Sequence, residues 1–110
     1  VDISISSDNA LSGQLGQSPR LIAELPTQLF VKAGESLQLK CSFSGQPLPV
    51  VTWEKDDALV PMNGRYELIS EDGIAILRID QVTDADSALF VCTTANIFGA
   101  VSTACQVTVE

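Results

Sequence analysis

The sequence predicts an all-β fold in which two antiparallel sheets pack face to face as a sandwich. Three observations support this prediction. Short segments of alternating apolar and polar residues recur from Leu21 to the end of the chain, turn-forming residues separate them, and no stretch carries a helical apolar stripe over three turns. A chain of 110 residues is long enough for one hydrophobic core of this kind and too short for two.

The alternating segments follow one another at the short intervals typical of a sandwich. Turn signals separate them at Pro26, Ser44-Gly45, Asp72-Gly73 and Gly99. The predicted strands lie within residues 21–25, 27–36, 37–43, 50–55, 65–70, 74–79, 88–96 and 102–109. Residues 1–19 are rich in Ser, Gly, Asn and Gln and show no sustained alternation. We therefore interpret residues 1–19 as a flexible N-terminal arm or linker and residues 20–110 as the folded domain.

The alternation also predicts which side chains face the core, because successive side chains of a strand point to opposite faces. The residues assigned to the core face are Leu37, Leu39, Cys41, Phe43, Val51, Trp53, Leu77, Ile79, Phe90, Cys92, Cys105, Val107 and Val109. Their neighbours on the opposite faces are largely polar and include Gln38, Lys40, Thr52, Glu54, Arg78, Gln106 and Thr108. The pattern indicates a core face packed against a second sheet and a solvated outer face.

The composition argues against several kinds of active site. The chain has no histidine, so it lacks His-based triads, Cys–His dyads and most catalytic zinc sites. Its three cysteines include no C-x-x-C pair, and no phosphate-binding glycine loop is present. Acidic pairs such as Glu71 with Asp72, or Asp84 with Asp86, lack the spacing of an EF-hand and are interpreted as solvated loops. We expect no enzymatic activity, no metal and no cofactor.

The charge balance bears on the partners. Six Lys and Arg against fourteen Asp and Glu give a formal net charge of −8, which repels nucleic acid and anionic lipid. The uncharged stretch from Ser87 to Val109 is interrupted by polar residues and is interpreted as buried strands rather than a membrane span. We expect other proteins or neighbouring domains of the same chain as partners, with no nucleic acid, membrane or small-molecule substrate.

Three motifs carry a resemblance to a known family. Trp53 follows Cys41 by twelve positions and Cys92 follows Cys41 by 51. The stretch "AGESLQLKCSFSGQPLPVVTWEKDD", the hairpin "NGRYELISEDGIAILRIDQV" and the segment "DADSALFVCTTANIFG" resemble the intermediate-set (I-set) immunoglobulin domains. The resemblance covers residues 20 to 110. It is strongest to the I-set domains of intracellular muscle and cytoskeletal proteins of the titin, obscurin, palladin and myosin light-chain kinase type.

The resemblance implies roles for several residues. Cys41 and Cys92 would face each other between the sheets, as a disulfide or as a pair of buried thiols, with Trp53 packed against them. Phe90 stands where the family usually has a tyrosine whose hydroxyl bonds back to the backbone. Cys105 occupies a core position where the family generally has a small apolar residue.

The resemblance further implies a structural ion pair between Arg65 and Asp86. The expected core around the cysteine pair consists of Trp53, Leu77, Phe90 and Cys105.

Apolar residues outside the core are the candidate partner-binding residues. If Leu77 and its neighbours point inward, Ile74 and Ile76 point outward, and Ile69 joins them because Tyr66 and Leu68 take the inner face. These isoleucines form either a binding patch or a surface covered by the N-terminal arm. Ile97 and Phe98, in the turn between the last two strands, form a second candidate contact.

The resemblance implies a non-catalytic protein-binding or structural spacer module of a larger sarcomeric or cytoskeletal protein in the cytoplasm. The odd cysteine, the absence of an Asn-x-Ser/Thr sequon and the uninterrupted Trp53–Asp57 stretch favour this reading. The alternative is an extracellular adhesion or receptor domain with an oxidised Cys41–Cys92 disulfide.

Overall fold

A computed structural model describes residues 16–61 and 64–110. These residues form nine β-strands and one short 3-10 helix, Asp84–Asp86. The strands are β1 Gln17–Ala23, β2 Gln28–Val31, β3 Leu37–Gln46, β4 Val50–Lys55, β5 Ala58–Leu59, β6 Tyr66–Glu71, β7 Ile74–Ile79, β8 Ala88–Asn96 and β9 Gly99–Val109. Within the described residues, no helix is long and apolar enough to cross a membrane.

The strands form two sheets that pack as a sandwich. One sheet has four strands in the order β1-β3-β7-β6, and the other has five in the order β2-β9-β8-β4-β5. All neighbouring strands are antiparallel except β2 and β9, which pair in parallel from Gln28↔Gln106 to Val31↔Val109. The predicted all-β immunoglobulin-like sandwich is confirmed, whereas the parallel β2–β9 pair was not predicted.

The observed strands differ from the predicted ones most clearly at β1 and β5. Strand β1 begins at Gln17, three residues before the predicted start of the domain, and it pairs with β3. Residues 1–15 of the proposed arm lie outside the described residues. Strand β5 has only two residues, which is too short to show the alternation on which the strand predictions depend.

The core lies between the two sheets and is built from every second residue of the long strands. Strand β7 shows the pattern most clearly, since Ala75, Leu77 and Ile79 are buried while Arg78 is exposed. Leu68 belongs to the inner face of the edge strand β6, yet 38 % of it stays exposed. An edge strand has a neighbour on one side only, which explains this partial exposure.

Two tight hairpins shape the ends of the sheets. Asp72 and Gly73, between β6 and β7, have φ angles of 51° and 78°, as a two-residue hairpin turn requires. The Phe43 amide donates to the Gly73 carbonyl at 2.8 Å, and this bond ties the β6–β7 turn to β3. Asp56 and Asp57, between β4 and β5, also have positive φ angles, of 49° and 69°.

The chain enters and leaves the sandwich at opposite poles. At the entry pole, the Asn96 side-chain amide donates to the Gln17 carbonyl at 2.8 Å and to the Pro47 carbonyl at 3.0 Å. At the exit pole, the Glu110 amide donates to the Val31 carbonyl at 2.8 Å, and the Ala33 amide donates to the Glu110 carbonyl at 2.9 Å. The first strand therefore begins at one end of the described domain, and the last strand ends at the other.

Candidate functional site

The carboxylate of Asp86, at the end of the 3-10 helix, is completely buried and accepts several hydrogen bonds. Arg65 donates to it through Nη1 and Nη2, at 3.0 and 3.1 Å. The Tyr66 hydroxyl donates to Oδ1 at 2.5 Å, and the Thr83 amide donates to Oδ2 at 2.8 Å. Lys55 Nζ lies 3.9 Å from Oδ1. We call these five residues the Asp86 network.

The electrostatics of the Asp86 network fit a structural role. Burial acts to raise the pKa of Asp86, but the hydrogen bonds from Arg65, Tyr66 and the Thr83 amide outweigh it and lower this pKa to about 2. Burial, followed by the hydrogen bond to Asp86, raises the pKa of Tyr66 well above its usual range. General acid–base catalysis needs a group that titrates near the working pH, and neither group does so near neutrality.

The sequence singled out only two members of the Asp86 network. The structure brings the predicted pair Arg65 and Asp86 together, and because Asp86 is completely buried, its interpretation as part of a solvated loop was wrong. The structure adds Lys55, whose Nζ donates to the Tyr66 hydroxyl at 3.1 Å. Tyr66 was assigned to the core, but its hydroxyl partners were not predicted. A signal was available, because a tyrosine buried on a strand must find a hydrogen-bond partner for its hydroxyl.

The cysteines occupy the centre of the sandwich. Cys41 and Cys92 are buried free thiols whose Sγ atoms lie 3.6 Å apart, and Trp53 is the cross-strand neighbour of Cys92. Cys105 is also buried and lies beside Phe90 on the neighbouring strand. The hydrogen bond with Cys41 and burial raise the pKa of Cys92, and burial raises the pKa of Cys105. Thiols that remain protonated are poor nucleophiles.

Strand β8 presents two unusual inner-face residues. Phe90 is completely buried and fills the position of the family's tyrosine without supplying a hydroxyl. Thr94 is also completely buried, and its Oγ1 atom has no hydrogen-bond partner within the described part of the chain. A buried hydroxyl that makes no hydrogen bond carries a desolvation cost.

The three outward isoleucines lie together on the four-stranded sheet. Ile69 is the cross-strand neighbour of Ile76, and Ile74 is the neighbour of Glu71. All three isoleucines are half-buried. With Glu71 and Asp72 they line a groove of about 220 Å³ beside the β6–β7 turn. We call this feature the outer-face groove.

The second pair of candidate contact residues lies at the entry pole, in the β8–β9 turn. Ile97 is 84 % exposed and Phe98 is 49 % exposed. The Phe98 ring lies against Gly16, so closely that a Cβ atom at Gly16 would come within 2.2 Å of the ring. Asn96 holds the turn through its side-chain oxygen, which accepts from the Phe98 amide at 2.8 Å. Ile97 and Phe98 thus join two strands of the five-stranded sheet, whereas the outer-face isoleucines lie on the four-stranded sheet.

Exposed apolar residues that the sequence reasoning missed lie near both sheets. Leu48 lies in the β3–β4 turn and Val50 begins β4, and the Asn96 amide connects this turn to the β8–β9 turn. Leu59 and Leu68 border a crevice at the edge of the sandwich that reaches Trp53. Leu48 lies in a turn and Leu59 in a two-residue strand, so no alternating pattern was available to assign either of them to a face. Leu68 was assigned to the inner face, and the surprise is only its partial exposure.

No group of three or more metal-ligating side chains is found in residues 16–61 and 64–110. The acidic residues of the β6–β7 turn border an apolar groove. The Asp86 carboxylate already accepts four hydrogen bonds and lies beside Lys55. The described residues form a closed core, and the grooves and exposed apolar side chains lie outside it.

The chain resembles curated proteins along most of its length. It is 36 % identical over 108 residues to a titin homolog of Caenorhabditis elegans, a match that covers 98 % of this chain and 1 % of that protein. It is 34 % identical over 95 residues to the smooth-muscle myosin light chain kinase of Gallus gallus, covering 86 % and 5 %. It is also 32 % identical over 100 residues to vascular endothelial growth factor receptor 3 of Mus musculus, covering 91 % and 7 %.

Solved structures show the same fold. Titin domain M7 superposes with a TM-score of 0.81 at 26 % identity, covering 86 % of this chain and 96 % of that one. The titin domains Z1Z2 in complex with telethonin superpose with a TM-score of 0.80 at 26 % identity, covering 86 % and 48 %. The family model described as the immunoglobulin I-set domain matches residues 19–109. On the basis of this match and of the sandwich itself, the chain belongs to the immunoglobulin I-set family.

Proposed function

We propose that this chain is a non-catalytic protein-binding and spacer domain of a larger sarcomeric or cytoskeletal protein. The observation that carries the proposal is the placement of the chain ends. The chain enters at Gln17 and leaves at Glu110, at opposite poles of one closed sandwich. A domain inserted in this way into a longer chain holds its neighbours at a fixed separation and leaves its outer faces free for partners.

The pairing of β2 with β9 suits a domain under tension. These strands run in parallel, and β2 lies toward the N-terminus while β9 ends the domain. Opposite forces on the two ends therefore slide β2 along β9 and load their hydrogen bonds together. The exit-pole bonds of Glu110 with Val31 and Ala33 lie directly in this path. Bonds that break together resist force better than bonds that open one after another.

The relatives support the sarcomeric or cytoskeletal part of the proposal. The match to the titin homolog spans nearly all of this chain but 1 % of that protein, as expected for one module among many. Titin Z1Z2 forms a complex with telethonin, so domains of this fold bind other proteins. A neighbouring protein or domain is accordingly the class of partner that we propose for this chain.

An extracellular receptor or adhesion domain is the second candidate, supported by the similarity to vascular endothelial growth factor receptor 3. The distance of 3.6 Å between the Sγ atoms of Cys41 and Cys92 would let either redox state form after a small movement. Counting free thiols on protein from its native source separates the candidates. Three titrating thiols in denatured protein support the cytoplasmic proposal, and one supports secretion.

The spacer function is tested by pulling the 110-residue chain between handles at its two ends. Ala33→Pro removes the amide hydrogen that Ala33 donates to the Glu110 carbonyl. Proline fits at this position because the next residue, Gly34, has a φ angle of 91°, as in a turn that favours proline before glycine. Ala33→Ser retains the amide and is the matched control. We expect a lower unfolding force for Ala33→Pro than for Ala33→Ser. Equal forces for the two variants would contradict a load path through the exit pole.

A further inference from the structure

We propose, on the basis of the protein-binding function proposed above, that the outer-face groove docks a segment of a partner protein with an aliphatic or aromatic side chain next to a lysine or arginine. The apolar side chain fills the groove over Ile69, Ile74 and Ile76, and the basic residue lies at the β6–β7 turn beside Glu71 and Asp72.

The floor of the groove is apolar, whereas the neighbouring positions on β3, β6 and β7 are polar. Ile76 lies between Ile69 on β6 and Lys40 on β3, and Ile74 lies between Glu71 and Ser42. The polar side chains on these strands include those of Gln38, Glu67 and Arg78, which bond to one another. Three half-buried isoleucines side by side, with polar neighbours on β3, β6 and β7, form a surface that a partner's apolar side chain can cover. The volume of the groove, about 220 Å³, suits a single large side chain.

The charges around the groove determine the orientation in which a partner segment binds. Glu71 and Asp72 lie at the end formed by the β6–β7 turn, and neither takes part in an ion pair within the described residues. Lys40 is the positive group at the opposite side, next to Ile76 on β3. A partner's cation is therefore attracted to the turn and repelled from the β3 side.

The groove is already formed in the chain without a partner. The β6–β7 turn is tight, and the Gly73 carbonyl accepts from the Phe43 amide at 2.8 Å, so the acidic rim is tied to the centre of the sheet. A Cβ atom at Gly73 would lie 2.7 Å from the Phe43 carbonyl oxygen, which shows how closely the two strands approach. A preformed site binds without first having to order itself.

Charge argues against the other two occupants of this groove. Residues 1–19, the proposed N-terminal arm, contain Asp2 and Asp8 and no lysine or arginine, so the acidic rim repels them. A second copy of the chain carries the same net charge of −8. A basic segment of a different protein is the occupant that the acidic rim attracts.

The test starts from a display library of random twelve-residue peptides. Peptides that bind the full chain are selected from it. Three variants are compared with the wild type: Ile76→Glu, which adds a charge to the groove floor; Glu71→Gln/Asp72→Asn, which neutralises the rim; and Glu35→Gln/Asp84→Asn, a matched removal of two charges elsewhere. Asn at position 72 tolerates the positive φ angle of this residue. The unfolding transition of each variant is measured first, and the rim variant keeps the test decisive if Ile76→Glu does not fold.

We expect peptides selected on the wild type to carry an apolar anchor beside Lys or Arg. Their affinity should fall by roughly tenfold or more on Ile76→Glu. It should fall about two- to fivefold at low salt on Glu71→Gln/Asp72→Asn and stay unchanged on Glu35→Gln/Asp84→Asn. Peptides that bind Ile76→Glu and the rim variant as well as the wild type would overturn the groove proposal and leave the protein-binding function standing.

Two other outcomes would overturn the groove proposal as well. Selected peptides without basic residues would contradict the assigned partner chemistry. Peptides that bind only after residues 1–15 are deleted would show that the arm covers the groove. The spacer function is measured separately by the pulling experiment, so failure of the groove proposal and failure of the proposed function give different results.

Discussion

The Asp86 network and the outer-face groove both contain carboxylates, but they place them in opposite surroundings. Asp86 is completely buried and accepts hydrogen bonds from Arg65, Tyr66 and the Thr83 amide. Glu71 and Asp72 are exposed, and no ion pair within the described residues involves them. The same functional group is thus fully satisfied by the fold at one place and left to solvent at the other.

This difference shows how carboxylates that stabilise the fold can be told apart from carboxylates that are available to a partner. A buried carboxylate is retained only where its partners offset the loss of hydration, so its removal is felt by the whole fold. An exposed carboxylate next to an apolar groove contributes little to folding and remains available to a partner. The predictions below test this contrast, beginning with the largest effect.

Replacing Asp86 is expected to be the most damaging of these changes. Asp86→Asn places an amide NH₂ group among donors that need an acceptor, so bonds from Arg65, Tyr66 or Thr83 are lost in a buried site. We expect the free energy of unfolding to fall by about 3 kcal/mol. Urea denaturation measures the change. Asp84→Asn, in the same 3-10 helix but exposed, is the control and should stay within about 0.5 kcal/mol of the wild type.

The low pKa of Asp86 predicts how stability depends on pH. Its pKa is about 2 in the folded chain and about 3.9 in an unfolded one. The stabilisation is therefore complete above pH ~4 and is lost as the pH falls toward ~2, and its size is on the order of 2 kcal/mol. Urea denaturation across this range should show the difference between wild type and Asp86→Asn shrinking as the pH falls. A constant difference would contradict the assigned pKa.

Restoring the family's tyrosine should have a smaller effect in the opposite direction. Phe90→Tyr adds a hydroxyl that can bond back to the backbone, as the family's tyrosine does. We expect the unfolding free energy to rise by about 0.5–1.5 kcal/mol, measured by thermal and urea denaturation. A loss of stability would show instead that the completely buried ring has no room for the hydroxyl.

Removing the unpaired hydroxyl of Thr94 should have the smallest effect. Thr94→Val keeps the shape of the side chain and replaces a buried Oγ1 atom that bonds to no described residue. We expect an unchanged or higher stability, by up to ~1 kcal/mol in urea denaturation. Thr103→Val is the matched control on β9, because the Thr103 hydroxyl accepts from the Leu25 amide at 3.0 Å, and it should destabilise. A loss of stability in Thr94→Val would reveal a partner for its hydroxyl.

Much of the fold could be predicted from the sequence, because period-two alternation reports directly which residues face a sheet core. The alternation of β7 is an example, with Leu77 and Ile79 buried and Ile76 turned outward. Short elements such as β5 escaped prediction, since two residues carry no period. The parallel β2–β9 pair also escaped, because alternation does not report the direction of a neighbouring strand.

The candidate sites were less predictable, for a different physical reason. Arg65 and Asp86 came from family resemblance, whereas Lys55 joins them only because two sheets bring distant residues together. The acidic rim of the groove depends on a turn that carries Glu71 and Asp72 to the edge of an apolar surface. Contacts between strands that are far apart in sequence require the three-dimensional arrangement.

The division of roles between the two acidic regions is tested most directly by comparing the unfolding free energies of Asp86→Asn and Glu71→Gln/Asp72→Asn in the same buffer. We predict that Asp86→Asn loses about 3 kcal/mol, whereas Glu71→Gln/Asp72→Asn stays within about 0.5 kcal/mol of the wild type. A loss in the rim variant as large as that of Asp86→Asn would show that Glu71 and Asp72 hold the fold together, and it would contradict their assignment to recognition.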